Sequence, residues 1–136
     1  MALALLACQP RVAPRQLVVS AVDYAFTMAD TLAAGPMVFH LRNDGKVRHE
    51  LVLAELRPGV RPDSAYAVEM RDGNVDSLYE KDAGLLTANP GEAPDFGLRV
   101  DLAPGRTYVF LCTFSDSATK PIHLKLGMYK PFIVRR

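Results

Sequence analysis

Short apolar runs separated by turn residues make up most of this sequence. Many of the runs are rich in the β-branched and aromatic residues that favour strands. The runs predicted as strands are residues 17–22, 37–42, 51–56, 98–102, 107–112 and 131–134. The turn signals between them include Gly35-Pro36, Asn43-Asp44-Gly45, Pro58-Gly59 and Ala103-Pro104-Gly105. This spacing predicts an all-β fold, a β-sandwich with antiparallel, Greek-key pairing.

The middle of the chain, residues 57–96, lacks this strand pattern. Asp63 or Ser64 is suited to cap a short helix, and a second helical turn is predicted near residues 76–81. The remainder contains Pro and Gly and predicts a loop. We therefore expect a short helical insert at residues 62–83 within the sandwich.

Composition limits the class of protein. At 136 residues the chain fits one domain, long enough to bury a core without disulfide bonds. The formal net charge is +1, and no run of Lys or Arg is present, so neither nucleic acid nor an acidic membrane surface is an expected partner. We expect a monomer.

The first residues have a different character. Met1 to Ala7 are apolar but too few to span a bilayer, and Leu5-Leu6-Ala7-Cys8 resembles the lipobox of a bacterial lipoprotein, although the basic start of a signal peptide is absent. We expect residues 1–15 to be a signal remnant and tether, and residues 16–136 to form the domain. The protein would then be exported to the periplasm or cell envelope, with membrane contact only through a lipid on Cys8. The alternative is an apolar tail without a processing role.

Four residues carry candidate metal chemistry. Cys112, His123 and Met128 lie within 17 residues of one another, and His49 lies far upstream. Two His, one Cys and a weak Met form the ligand set of a blue-copper electron-transfer centre. Thioether sulfur suits copper, whereas zinc prefers thiolate, imidazole and carboxylate. If Cys8 is lipidated, Cys112 is the only free thiol, which suits a metal ligand or a nucleophile.

On these motifs the chain resembles the cupredoxin family over roughly residues 16–136. The matching features are an Asn-x-Gly turn before His49, the Leu-x-Pro-Gly-x-x-Tyr sequence of residues 102–108 that leads to Cys112, and a Cys…His-x4-Met order that closes into the last strand. The chain is most similar to small bacterial cupredoxin-like proteins with a helical insert.

This resemblance implies one type 1 copper ion that alternates between Cu(I) and Cu(II). His49, Cys112 and His123 would be its equatorial ligands and Met128 its axial ligand. Considered alone, each has an ordinary explanation, such as a surface histidine, a small buried thiol or a methionine that fills the core. The third histidine, His40, lies within an apolar run and is interpreted as a strand residue.

Two features depart from the family pattern. Ten residues separate Cys112 from His123, more than in plastocyanin or azurin, and a longer loop would alter access to the metal. Glu50 follows His49, where plastocyanin-like and azurin-like proteins often carry an Asn that braces the thiolate loop. That brace is therefore in doubt, although such outer contacts orient metal ligands.

The leading functional interpretation is a one-electron carrier and not an enzyme. A redox partner protein would dock on an apolar patch around His123, formed by those neighbouring apolar residues that stay outside the core. Two alternatives use the same scaffold: a copper carrier or sensor, and a metal-free interaction module. A hydrolase that uses Cys112 and His123 is disfavoured, because Cys112 ends a strand and no orienting Asn or Asp is evident.

Overall fold

A computed structural model describes residues 12–73 and 76–136 of the chain. Within them the chain forms one α-helix, two short 3₁₀ helices and nine strands. In order, these are β1 (Arg15–Val22), β2 (Ala25–Thr27), β3 (Thr31–Leu32), β4 (Gly35–Asn43), β5 (His49–Leu56), α1 (Pro62–Asp72), a 3₁₀ helix (Asp76–Leu78), β6 (Tyr79–Ala88), β7 (Leu98–Leu102), β8 (Thr107–Leu111), a second 3₁₀ helix (His123–Leu126) and β9 (Tyr129–Val134). Every strand predicted from an apolar run is present.

The strands form two sheets, as expected for a sandwich. One has the order β2-β1-β4-β7 and the other β3-β9-β8-β5-β6. The expectation of antiparallel pairing is wrong for two pairs, because β1 runs parallel to β4 and β3 runs parallel to β9. After β2 the chain crosses to the other sheet as β3 and returns, so β4 enters beside β1 in the same direction.

The main core lies between the two sheets and is rich in aromatic rings. Phe110 of β8 contacts Phe39 of β4 at 5.0 Å between ring centroids and Phe132 of β9 at 5.2 Å. In β4 the buried residues alternate with less buried ones, the period-2 pattern of a strand with one face in the core. This rigid core leads directly through β8 to Cys112.

A second, smaller core lies on the outer face of the five-stranded sheet, where α1 covers β5. Because both faces of the second half of β5 are covered, residues 53–56 are all buried, including Glu55, whose carboxylate pairs with Arg106 at 2.7 Å. Two tyrosines fix the helix position: Tyr66 donates to the Leu124 carbonyl at 3.3 Å and Tyr129 to the Pro62 carbonyl at 3.2 Å. The helix therefore packs against the segment that follows His123.

The predicted helical insert is only partly correct. The helix is present at Pro62–Asp72, and the predicted second helical turn is a 3₁₀ helix at Asp76–Leu78. From Tyr79 onward, however, the chain is a strand, β6, and not the end of a helical insert that reaches residue 83. As an edge strand, β6 tolerates the charged residues and glycine that obscure its strand character in the sequence.

Residues 1–11, which include Cys8 and the start of the tether, fall outside the described residues. Within the described residues, the first strand begins at Arg15. Among residues 12–73 and 76–136, no helix is both long and apolar enough to cross a membrane.

Candidate metal centre

Three of the four predicted donors meet at one end of the sandwich. One donor atom from each of His49, Cys112 and His123 lies within 4.8 Å of the others, and all three side chains are fully buried. The two Nδ1 atoms of the histidines are 3.2 Å apart, and the Cys112 Sγ is 3.5 Å from Nδ1 of His123. Both imidazoles therefore direct the same ring nitrogen toward a common point beside the thiol.

Strand pairing explains how distant residues converge. His49 is the first residue of β5, and Cys112 follows the last residue of β8. The two strands are antiparallel neighbours, with Val52 opposite Leu111, so the start of β5 and the end of β8 lie at the same end of the sandwich. The sheet register therefore places His49 beside Cys112.

Backbone hydrogen bonds bring His123 back to this end of the sandwich. Its N–H donates to the Phe114 carbonyl at 2.8 Å, and the Leu124 N–H donates to the Cys112 carbonyl at 2.8 Å. These two bonds close the ten-residue loop between Cys112 and His123. The short 3₁₀ helix that begins at His123 then holds the imidazole against the thiol.

Met128 lies fully buried beside the same group. The Cys112 N–H donates to the Met128 carbonyl at 3.2 Å, and the Met128 N–H donates to the His123 carbonyl at 3.1 Å. The main chain of Met128 is thus tied to two of the other candidate ligands. Its role as axial ligand stays a prediction.

Glu50 braces the segment that follows Cys112, at the position where plastocyanin-like and azurin-like proteins often carry Asn. Its carboxylate accepts a hydrogen bond from the Thr113 hydroxyl at 2.8 Å, and its backbone N–H donates to the Cys112 Sγ at 3.3 Å. The doubt raised by the sequence is therefore resolved, because a carboxylate accepts from Thr113 here. The neighbouring N–H also directs a positive dipole at the sulfur.

Two aspartates near the histidines were not identified from the sequence. Asp23 accepts from Nε2 of His49 at 2.9 Å, and Asp116 accepts from Nε2 of His123 at 2.9 Å. Asp116 lies in the loop between Cys112 and His123, so the expectation that no Asp orients this histidine is wrong. Nothing in the local sequence marks Asp23, which reaches His49 from the end of β1.

Burial controls the protonation of the metal-free site. Desolvation raises the pKa of the Cys112 thiol to about 11, although the backbone N–H groups of Glu50 and Phe114 oppose this rise. Desolvation also lowers the pKa of His49, against the opposing effect of the Asp23 hydrogen bond. The metal-free protein therefore holds a protonated thiol and a neutral His49 near neutral pH, and His49 keeps an available lone pair.

The donor set fits a soft metal ion. Two metal–nitrogen bonds of about 2.0–2.1 Å at a tetrahedral angle place their nitrogens about 3.3 Å apart, close to the separation found here. The carboxylates of Asp23 and Asp116 contact the Nε2 atoms, which face away from the site. The groups that converge at the site are therefore the Cys112 thiol and the two Nδ1 atoms. Such a set suits copper or zinc and does not suit calcium or magnesium, which take oxygen ligands.

Metal binding at this site should depend on pH through Cys112. The thiol must lose its proton to bind a metal, so below its pKa of about 11 each rise of one pH unit should increase the apparent affinity about tenfold. Anaerobic competition between the protein and a chromogenic Cu(I) chelator, repeated across the neutral to alkaline range, measures this slope. An affinity independent of pH over that range would contradict a thiolate ligand.

Neighbouring side chains cover the His123 ring. Phe114 and Tyr24 pack edge-on against its ring at 5.6 Å and 4.8 Å, and Asp116 occupies its outer nitrogen. Of the neighbouring apolar residues, Leu124 and Phe132 are buried in the two cores, whereas Leu126 is 44% exposed. The long loop therefore encloses His123, and of the two leucines in the 3₁₀ helix that begins there, Leu124 is buried and Leu126 is exposed.

Solved auracyanin structures have a similar fold. An auracyanin from the photosynthetic bacterium Roseiflexus castenholzii, in its dithionite-reduced form, aligns with a TM-score of 0.59 and 19% identity over 92% of this chain and 100% of its own. Auracyanin B aligns with a TM-score of 0.58 and 22% identity over 93% and 94%. Auracyanin A from Chloroflexus aurantiacus, described as a "blue" copper protein, gives 0.52 and 16% over 90% and 100%. No protein-family model and no curated protein matches the sequence.

Proposed function

We propose that this chain, which has the cupredoxin fold, binds one type 1 copper ion and carries single electrons. The observation that supports this most is the convergence of the thiol of Cys112 with Nδ1 of both His49 and His123 in a fully buried position. His49, Cys112 and His123 would hold the metal, with Met128 as a weak axial donor.

A bound copper ion supplies one-electron exchange between Cu(II) and Cu(I). The chain supplies a fixed set of donors that suits both states, because thiolate and thioether favour Cu(I) and imidazole accepts Cu(II). Strands β5 and β8 and the backbone bonds of the loop hold these donors in place, so little rearrangement is needed when the charge changes. The buried position excludes water from the donors.

The same proposal covers the partner and the location. Electrons would enter or leave at the end of the sandwich that carries the site, and exposed Leu126 would contact a redox partner protein there. The lipobox-like sequence before Cys8 supports export to the cell envelope, with an anchor through a lipid on Cys8. In this proposal the chain acts as a carrier and not as a self-contained enzyme, with His49, Cys112 and His123 as its redox site.

A redox cycle distinguishes a carrier from a copper-handling protein. The copper-loaded protein would be reduced by one inorganic one-electron complex and reoxidised by a second one while a Cu(I) chelator is present. An electron carrier loses and regains its thiolate-to-copper absorption through repeated cycles and keeps its copper. Transfer of copper to the chelator in the first reduction would favour a copper carrier or sensor instead.

Replacement of Met128 tests the axial position. Met128→Leu should keep copper bound but raise the reduction potential, because removal of the weak sulfur donor destabilises Cu(II) relative to Cu(I). Voltammetry of the loaded protein measures the change. Met70→Leu, in the partly exposed face of α1, is the matched control and should leave the potential unchanged. Equal potentials for Met128→Leu and the parent protein would mean that Met128 only fills the core.

A further inference from the structure

Each candidate histidine ligand has a carboxylate on its outer nitrogen, at the same distance. Asp23 lies 2.9 Å from Nε2 of His49, and Asp116 lies 2.9 Å from Nε2 of His123. We propose that Asp23 and Asp116 are positioning residues that fix both imidazoles with Nδ1 facing Cys112 and that lower the reduction potential of the site. This inference rests on the proposed copper function for its second part only.

Hydrogen bonding determines which ring nitrogen is free. A neutral imidazole carries one N–H, and a carboxylate that accepts from Nε2–H leaves the lone pair on Nδ1. Both histidines then present lone pairs toward each other at 3.2 Å. Two such lone pairs repel each other unless a cation or a proton lies between them, so the aspartates prepare the site for a metal ion.

The Asp23 carboxylate is held in place by the turn before His49. Both of its oxygens accept from the Lys46 N–H at 3.0 Å. Glycine at position 45 makes room for this contact, because a Cβ there would lie 2.3 Å from Oδ1 of Asp23 and 3.0 Å from Nε2 of His49. The Asn43-Asp44-Gly45 turn is therefore shaped around the pair of Asp23 and His49.

Asp116 is held by Tyr24, the residue that follows Asp23 between β1 and β2. The hydroxyl of Tyr24 donates to Oδ2 of Asp116 at 3.3 Å, and Lys120 lies 4.0 Å from that oxygen. The Tyr24 ring also packs edge-on against both imidazoles, at 6.2 Å from His49 and 4.8 Å from His123. Asp23 thus accepts a hydrogen bond directly from His49, whereas the adjacent Tyr24 donates to the Asp116 carboxylate that accepts from His123.

Charge adds a second effect. The side chain of Asp116 is 14% exposed and that of Asp23 is 24% exposed in a residue that lies at the surface, so water screens Asp116 less than Asp23. Two carboxylates behind the imidazoles stabilise Cu(II) more than Cu(I), because the oxidised ion has the greater charge. The site would therefore favour the oxidised state more than the same site without these charges.

The first test uses the metal-free protein, so it does not depend on copper function. Long-range ¹H–¹⁵N NMR of the imidazoles reports which nitrogen carries the proton. We expect the Nε2–H form for His49 and His123 in the parent protein, and loss of this preference at His123 in Asp116→Ala and at His49 in Asp23→Ala. Asn at either position keeps an oxygen acceptor and should keep the Nε2–H form. An unchanged tautomer in both Ala variants would overturn the positioning role.

The second test uses the copper-loaded protein. Asp23→Asn and Asp116→Asn should each raise the reduction potential, and each Ala variant should lose about 10- to 100-fold in copper affinity. Asp101→Asn removes the same charge from an exposed residue of β7 opposite Pro36, at the far end of β4 from Asn43, and should change neither quantity. Equal shifts in the Asn variants and in this control would overturn the electrostatic role. A parent protein that binds no copper but shows the expected tautomers would refute the proposed function and leave the positioning role intact.

Discussion

Replacing Cys112 with serine should abolish the intense thiolate-to-copper absorption of the copper-loaded protein. The Cys112 sulfur lies 3.5 Å from Nδ1 of His123 and is fully buried. Cys112 is the only cysteine among the described residues, so no other thiol there can take its place. Serine is close in size but does not offer a soft thiolate, so copper would be bound weakly by imidazole alone. Visible absorption and equilibrium dialysis measure both changes.

A matched variant separates this effect from a general disturbance of the loop. Thr119→Ser changes an exposed residue of the same loop between Cys112 and His123 and should keep the band at full intensity. Far-ultraviolet circular dichroism should be the same for both variants and the parent. If Cys112→Ser kept the thiolate absorption, the assignment of Cys112 as a ligand would be wrong.

Truncation of Phe110 should have the largest effect on stability. Its ring is fully buried and contacts Phe26, Phe39 and Phe132 across the two sheets. Phe110→Ala removes these contacts and leaves a cavity, so the free energy of unfolding should fall by about 3–5 kcal/mol. Because small domains have only about 5–15 kcal/mol of stability, this is a large part of the total. Urea denaturation of the metal-free protein measures the loss.

Two further variants keep this prediction testable. Phe110→Leu retains much of the volume and should lose less stability than Phe110→Ala, which allows a measurement if the Ala variant does not fold. Phe96→Ala truncates a ring that is 61% exposed and should change stability by no more than about 0.5 kcal/mol. Similar losses at Phe96 and Phe110 would contradict the placement of the core between the sheets.

The strands that surround the site were predictable because each carries a clear apolar run bounded by turn residues. Strand β6 was not, since Glu80, Lys81, Asp82 and Gly84 interrupt the alternation that identifies a strand. Pairing with β5 supplies the missing information, and an edge position tolerates these residues. The parallel pairing of β1 with β4 was also hidden, because it depends on the path of β2 and β3 between the two sheets.

The candidate ligands were predictable to the extent that residue type and order specify chemistry. His49, Cys112 and His123 stand out as soft or borderline donors in a scaffold whose strand ends meet at one edge. Asp23 and Asp116 did not stand out, because an aspartate in a turn or a loop is ordinary on the surface. Their role appears only when the orientation of each imidazole ring is known, since they contact the nitrogen that faces away from the thiol.

Addition of one equivalent of Cu(II) to the reduced, metal-free protein tests the proposed site most directly. Visible absorption and electron paramagnetic resonance would be recorded together, and bound copper would be measured after dialysis. A type 1 site predicts an intense blue or green thiolate band with one tightly held copper per chain. A colourless protein, or a weak band with loosely held copper, would contradict a copper centre at His49, Cys112 and His123.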